Sequence, residues 1–159
     1  MKKNRWPIRK VLVPIDFSDY SKSTIDFASI IAERFAATLI LVHVIESLPY
    51  SVTDTLQLVE HRRALETLTR TLLGNLSNEL RARGLSVKTY LVWGNASHEI
   101  QNKARRQKAD LIVMGTHGRS GLPHLVLGSV AEKTVRLSPI PVLTVPLSFK
   151  VTRKSATRK

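Results

Sequence analysis

Regular alternation of strand-like and helix-like segments predicts an α/β domain: a single open five-stranded parallel sheet with helices on both faces. Two observations carry that expectation. The strand segments are continuous apolar, β-branched runs, as in parallel strands buried on both faces, where half-buried strands would alternate with polar residues. Each run is also separated from the next by a segment of helical period, and parallel strands need such crossovers, which are right-handed.

The first strand is read at residues 10–15, Lys-Val-Leu-Val-Pro-Ile. Ser18 and Asp19 supply a helix start, and Ile25, Ala28, Ala32 and Phe35 recur at helical spacing to about residue 36. Thr38–Ile45 is the second strand, and the polar neighbours of Pro49 make a loop. A long helix follows from about Asp54 to Arg83, with Leu58, Leu65, Leu68, Leu72, Leu76 and Leu80 as its expected core face. Gly84 is its expected stop. The third strand is placed near Ser86–Trp93, and Gly94-Asn95-Ala96-Ser97 turns the chain into a helix over about 97–108. Asp110–Met114 is the fourth strand and ends at Gly115. A glycine-rich loop runs to Gly128, and a helix covers about 129–137. Ser138-Pro139-Ile140-Pro141 breaks that helix, and Val142–Val145 is the last strand. No internal repeat and no second domain are evident.

A chain of 159 residues with 43 % apolar content suffices for one core. No apolar run approaches the roughly 18 residues of a membrane span, and the basic opening leads into an apolar segment too short for a signal-peptide core. The expectation is a cytoplasmic protein without a membrane partner. Cysteine is absent, so disulfides, zinc thiolates and cysteine nucleophiles are excluded. The formal charge of +13 is concentrated at the ends: residues 1–10 and 150–159 carry five basic side chains each and no acid. The remaining 15 basic residues stand against 12 acids. The expected division is a basic N-terminal arm over 1–8, one domain over 9–147 and a basic flexible tail over 148–159. Such tails suit non-specific polyanion contact.

In open parallel sheets, ligands bind beyond the carboxyl ends of the strands, where the strand order reverses. That nominates Asp16, at the end of the first strand, and the segment from Gly115. Met114-Gly115-Thr116-His117-Gly118-Arg119-Ser120-Gly121 continues to Leu127-Gly128-Ser129-Val130. Glycines let a ligand approach the main chain, and a loop with inward amides makes an anion-binding concavity. The start of the next helix adds unpaired N–H groups and a dipole. Phosphate is the natural guest. Ser129-Val130-Ala131-Glu132 also fits a capping box, so Ser129 reads equally as an N-cap, and Asp16 as a turn or capping residue. The loop is neither a Walker A sequence nor G-x-G-x-x-G.

Gly115-x2-Gly118-x9-Gly128-Ser129 matches the G-2x-G-9x-G-(S/T) signature of ATP-binding universal stress proteins. Val-Leu-Val-Pro-Ile-Asp-Phe-Ser at the first strand, Leu-Val-His-Val-Ile at the second and Pro-Val-Leu-Thr-Val-Pro at the last also resemble that family, over about residues 8–147. The resemblance implies a Rossmann-like, adenine nucleotide alpha hydrolase-like sheet of strand order 3-2-1-4-5. It implies that Pro14, Ile15 and Asp16 line the nucleotide, with Asp16 near the ribose and a nucleotide-bound Mg ion. Val44 would pack on the adenine or hydrogen-bond it through its main chain, and Met114 and Gly115 would complete the floor. Gly118, Gly128, Ser129 and Val130 would hold the phosphates, with His117 and Arg119 within reach. The ligand implied is ATP, ADP or AMP, and the assembly implied is a homodimer through the last strand. Family members that do not bind ATP typically lack these glycines.

The other notable residues have plainer readings. His43 interrupts an apolar strand and reads as a satisfied core histidine. His61 and His98 read as surface or capping residues, and Trp93 as core packing or a flank of the adenine pocket. His117 and His124 share the loop without a carboxylate or thiol at metal-ligand spacing, so no zinc site is expected. Lys103, Arg105, Arg106 and Lys108 lie near the end of a helix, where they could meet phosphate or nucleic acid, although that placement suits the helix dipole and needs no ligand. No catalytic triad or kinase motif set is present, so the chain is not expected to be an enzyme beyond very slow ATP hydrolysis or autophosphorylation. The alternative is a non-catalytic dimeric interaction module whose glycine loop is structural.

Overall fold

The computed structural model describes residues 7–46, 56–116, 127–146 and 148–149. The Pro49 loop, most of the glycine loop and most of the two basic ends therefore lie outside the described residues. Among the described residues nine elements follow one another: β1 (Lys10–Pro14), α1 (Asp19–Phe35), β2 (Thr38–Ile45), α2 (Leu56–Ala82), β3 (Val87–Trp93), α3 (Ala96–Gln107), β4 (Leu111–Gly115), α4 (Ser129–Leu137) and β5 (Val142–Val145). The five strands form one sheet of order β3-β2-β1-β4-β5, with every pairing parallel.

Successive residues of a strand point to opposite faces, and β1 divides its side chains accordingly. Val11 and Val13 pack with Ile25, Ala28 and Ala32 of α1 and with Leu73 and Leu80 of α2. Leu12 joins Ile40, Val42, Ile112 and Met114 against Ile100 and Ala104 of α3 and Ala131 of α4. Both faces of the central strands are thereby closed to water, which is why their sequences are uninterrupted apolar runs.

The structure corrects two expected core faces. On α2, Leu65, Leu68 and Leu72 are exposed, while Thr69, Leu73, Ser77 and Leu80 are buried. The leucine stripe and the buried stripe both have helical spacing; they lie one residue apart over residues 65–77 and meet at Leu80, which is buried as expected. The buried stripe is hidden in the sequence because two of its members are hydroxyl residues. Thr69 satisfies its hydroxyl by donating to the Leu65 carbonyl, 2.8 Å away. Leu76 is half-buried, and the side chain of Leu58 lies outside the described residues. On α1, Phe35 is likewise exposed; it occupies the last helical residue, and Ser29 takes its place among the buried positions.

Helix ends follow local chemistry. Gly84 has φ of +87° and ends α2, with the Leu85 N–H returning to the Leu80 carbonyl. Gly94 has φ of +142°, and a Cβ there would lie 2.9 Å from Cγ of Glu99, so no other residue fits this turn unstrained. Asn95 caps α3 by accepting the His98 N–H. At α4 the N-cap is Gly128, in extended conformation, and Ser129 is already inside the first turn. The expected capping box is not formed: Glu132 pairs with Arg136 at 3.1 Å, one turn further on.

Candidate functional site

The strand order reverses between β1 and β4, and the carboxyl ends of those strands open into a cavity of about 540 Å³. Nine of the twelve residues nominated from the sequence line it. Pro14, Ile15 and Asp16 come from the end of β1, and Val44 from β2. Met114 and Gly115 come from the end of β4, and Gly128, Ser129 and Val130 from the start of α4. His117, Gly118 and Arg119 lie outside the described residues.

The wall is chemically divided. Ile15, Val42, Ile45, Ile100 and Met114 are buried apolar residues of the cavity, with Val44 half-buried among them. Asp16, Ser21, Thr24, Thr116 and Ser129 supply the polar groups. The first-turn amides of α4 have no partner within their own helix, and the helix dipole adds positive potential at the same place. The ends of the glycine loop are tied by the Gly128 N–H, which donates to the Thr116 carbonyl at 2.7 Å. Thr116 is anchored in turn by its N–H to the Val145 carbonyl, 3.1 Å away. The helix terminus is thus held against the end of β4 by main-chain bonds that do not depend on any side chain.

Asp16 sits in a compact hydrogen-bond cluster. Its Oδ1 accepts from the Ser18 N–H at 3.0 Å and from the Ser18 and Ser21 hydroxyls at 2.6 Å each. Its own N–H donates to Ser21 Oγ at 3.0 Å. Ser18 is therefore the N-cap of α1 by position, yet its hydroxyl serves Asp16 and leaves the helix uncapped by side chain. Between Asp16 and Ser18, Phe17 adopts φ of +61°, a conformation that a bulky residue holds only when its surroundings impose it. Its ring packs on His43, with centroids 5.0 Å apart.

His43 is buried and places Nδ1 2.8 Å from the Ile15 carbonyl. Because a carbonyl can only accept, Nδ1 carries the proton. This is the satisfied core histidine expected from its strand, and it also forms part of the cavity wall. Trp93 is half-buried outside the cavity, with the Arg62 guanidinium 4.6 Å from its ring centroid.

Ser21, Thr24, Glu46, Leu65, Ala96 and Thr116 also line the cavity and were not nominated from the sequence. Ser21 and Thr24 are two hydroxyl residues three apart on the helix that follows Asp16, but nothing in that spacing says that they face Asp16. Leu65 belongs to the stripe that reads as core. Among the described residues no group of three metal-ligating side chains occurs, and no helix is long and apolar enough to cross a membrane.

Comparison with known proteins places these features in context. Residues 7–146 match the model of the universal stress protein family. The universal stress protein YxiE of Bacillus subtilis is 34 % identical over 144 residues, covering 86 % of this chain and 97 % of the relative. The solved structure of protein MJ0577 is 30 % identical with a TM-score of 0.76, over 88 % of this chain and 96 % of that one. A universal stress protein solved in complex with cAMP is 26 % identical with a TM-score of 0.68, over 89 % and 99 % of the two chains.

Proposed function

The chain belongs to the universal stress protein family, and from that premise we propose that it is an ATP-binding stress-response regulator acting as a homodimer. The observation that carries the proposal is the convergence of the β1 end, the β4 end and the α4 N-terminus on one cavity of about 540 Å³. That volume falls within the roughly 300–1,000 Å³ of small-molecule sites. The apolar wall of Ile100, Met114 and Val44 suits an adenine ring, and the α4 amides suit phosphate. Asp16 is the carboxylate at the switch point, suited to the ribose and to a Mg ion brought by the phosphates. The relative in complex with cAMP supports an adenine nucleotide as the ligand class.

The reading assigns no catalytic residue. ATP occupancy sets the state of the protein, with at most slow hydrolysis or autophosphorylation, far below the roughly 1–1000 per second of ordinary enzymes. Pairing is assigned to β5. It is an edge strand, and Val135 and Leu137 of α4 are exposed large apolar residues just before it in the chain.

Calorimetric titration of ATP with magnesium, after removal of co-purified nucleotide, tests the proposal. Wild type is expected to bind, and Gly118→Val and Ser129→Ala to lose at least about tenfold, or 1.4 kcal/mol. No binding by well-folded wild type would leave the glycine loop structural and the protein an interaction module. Sustained turnover in the ordinary range, abolished by changing Asp16, would make it an enzyme instead.

A further inference from the structure

The end of the sheet opposite the cavity collects cations from three separate elements. Lys10 opens β1, Lys88 follows the first residue of edge strand β3, and Lys103, Arg106 and Lys108 lie along and just beyond the last turns of α3. Attraction to a helix C-terminus accounts for Arg106 and Lys108. It extends to Lys10, which reaches that helix end from β1, and leaves Lys88 of β3 unaccounted for.

Local bonds draw the group together. Lys10 Nζ donates to the Gln107 carbonyl at 2.8 Å, and the Tyr90 hydroxyl donates to Gln107 Oε1 at 2.8 Å. Lys103 Nζ stands 4.2 Å from the centroid of the Tyr90 ring. Lys88 and Tyr90 are two apart on β3 and therefore share a face.

The acids nearby are already engaged. Asp110 accepts the main-chain N–H groups of Arg9 and Lys10 at 2.8 and 2.9 Å. Glu99 holds His98 at 3.1 Å. None of the five cations forms an ion pair within 4.0 Å among the described residues, whereas Arg70, Arg83 and Arg136 all do. Lys108 also keeps its charge in a left-handed conformation, φ of +53°, where glycine is the unstrained choice.

We infer that this rim of Lys10, Lys88, Lys103, Arg106 and Lys108 binds the phosphate backbone of nucleic acid, at the end of the sheet remote from the cavity. Two strand spacings of about 4.8 Å separate β1 from β3, so the cations span more than one phosphate. A lipid surface fits less well. The exposed large apolar residues lie on α1, α2 and α4, and none lies on β3 or α3 to enter a bilayer. Recognition through phosphates carries no base sequence.

The test uses the full chain and a short fluorescein-labelled single strand, read by anisotropy across a salt series. Wild-type affinity is expected to fall steeply with salt. The variant Lys88→Gln, Lys103→Gln, Arg106→Gln, Lys108→Gly is expected to bind at least about tenfold more weakly, with the log–log salt slope flatter by about 0.7 for each phosphate no longer neutralised. Lys108→Gly alone separates binding from folding: it relieves the left-handed strain, so the melting temperature rises while affinity falls. ATP titration of the same variants is expected to be unchanged. Unaltered binding by the fourfold variant, with binding abolished on removing residues 1–6 and 150–159, would assign the interaction to the tails and overturn the inference. Capture by vesicles of anionic lipid with none by the oligonucleotide would overturn it as well.

Discussion

Asp16 Oδ1 receives three hydrogen bonds, and the Asp16 amide returns one to Ser21 Oγ. The exchange between Asp16 and Ser21 is reciprocal, so each fixes the other across the positive-φ turn at Phe17. Ser21 is buried, and its removal takes the hydroxyl acceptor from the Asp16 amide and one of three donors from Asp16 Oδ1. Ser21→Ala is therefore expected to destabilise the fold by about 1–3 kcal/mol. Urea unfolding checks this, and a midpoint equal to wild type would show that water replaces the hydroxyl at no loss. Asp16 was legible in the sequence because a carboxylate ending a buried strand is conspicuous. Ser21 was not, because its partner lies five residues back across a turn that propensity does not foresee for phenylalanine.

Helix α2 shows what a stripe of leucines does and does not specify. Its 27 residues make a helix about 40 Å long, while the seven residues of β3, against which it packs, span about 23 Å. Its described buried residues, Thr69, Leu73, Ser77 and Leu80, all lie at or beyond its midpoint. Leu65 reaches the cavity, and Leu72 faces a groove shared with Lys22, Ile25 and Asp26 of α1. Leu73→Ala is accordingly expected to cost about 2–5 kcal/mol, and Leu68→Ala, at 57 % exposure, under about 0.5 kcal/mol. Thermal unfolding of the two variants decides it; equal losses would mean that Leu68 is covered in solution by something beyond this chain. The helix itself was legible because period survives any rotation about the axis. Its core face was not, since that depends on where the sheet ends.

Across the whole molecule, the sheet has two ends and two edges. The Pro141 and Val145 carbonyls accept from Ile112 and Thr116 N–H on the β4 side. Alternation then turns the amides of Val142 and Thr144 away from β4, toward the open edge. Thr144→Pro removes one outward donor without breaking the β4 ladder. If pairing runs through β5, this variant is expected to shift the protein from dimer to monomer at unchanged secondary structure, as read by sedimentation equilibrium. A variant that stays dimeric would move the interface off the β5 edge. The opposite edge strand, β3, carries the exposed Lys88, a charge that discourages strand addition there.

Composition, periodicity and the spaced glycines were enough to determine the parallel α/β sheet, the sequence of its described elements and the strand ends where the cavity opens. These features are local, and each is written in a few consecutive residues. Tertiary structure alone decided which stripe of α2 is buried, that Gly128 and not Ser129 caps α4, and that Ser21 and Thr24 join Asp16 in the cavity wall. It also gathered lysines from β1, β3 and α3 onto one rim. Those outcomes depend on element lengths, on rotation about helix axes and on side chains brought together from distant parts of the chain, and spacing along a sequence does not encode them.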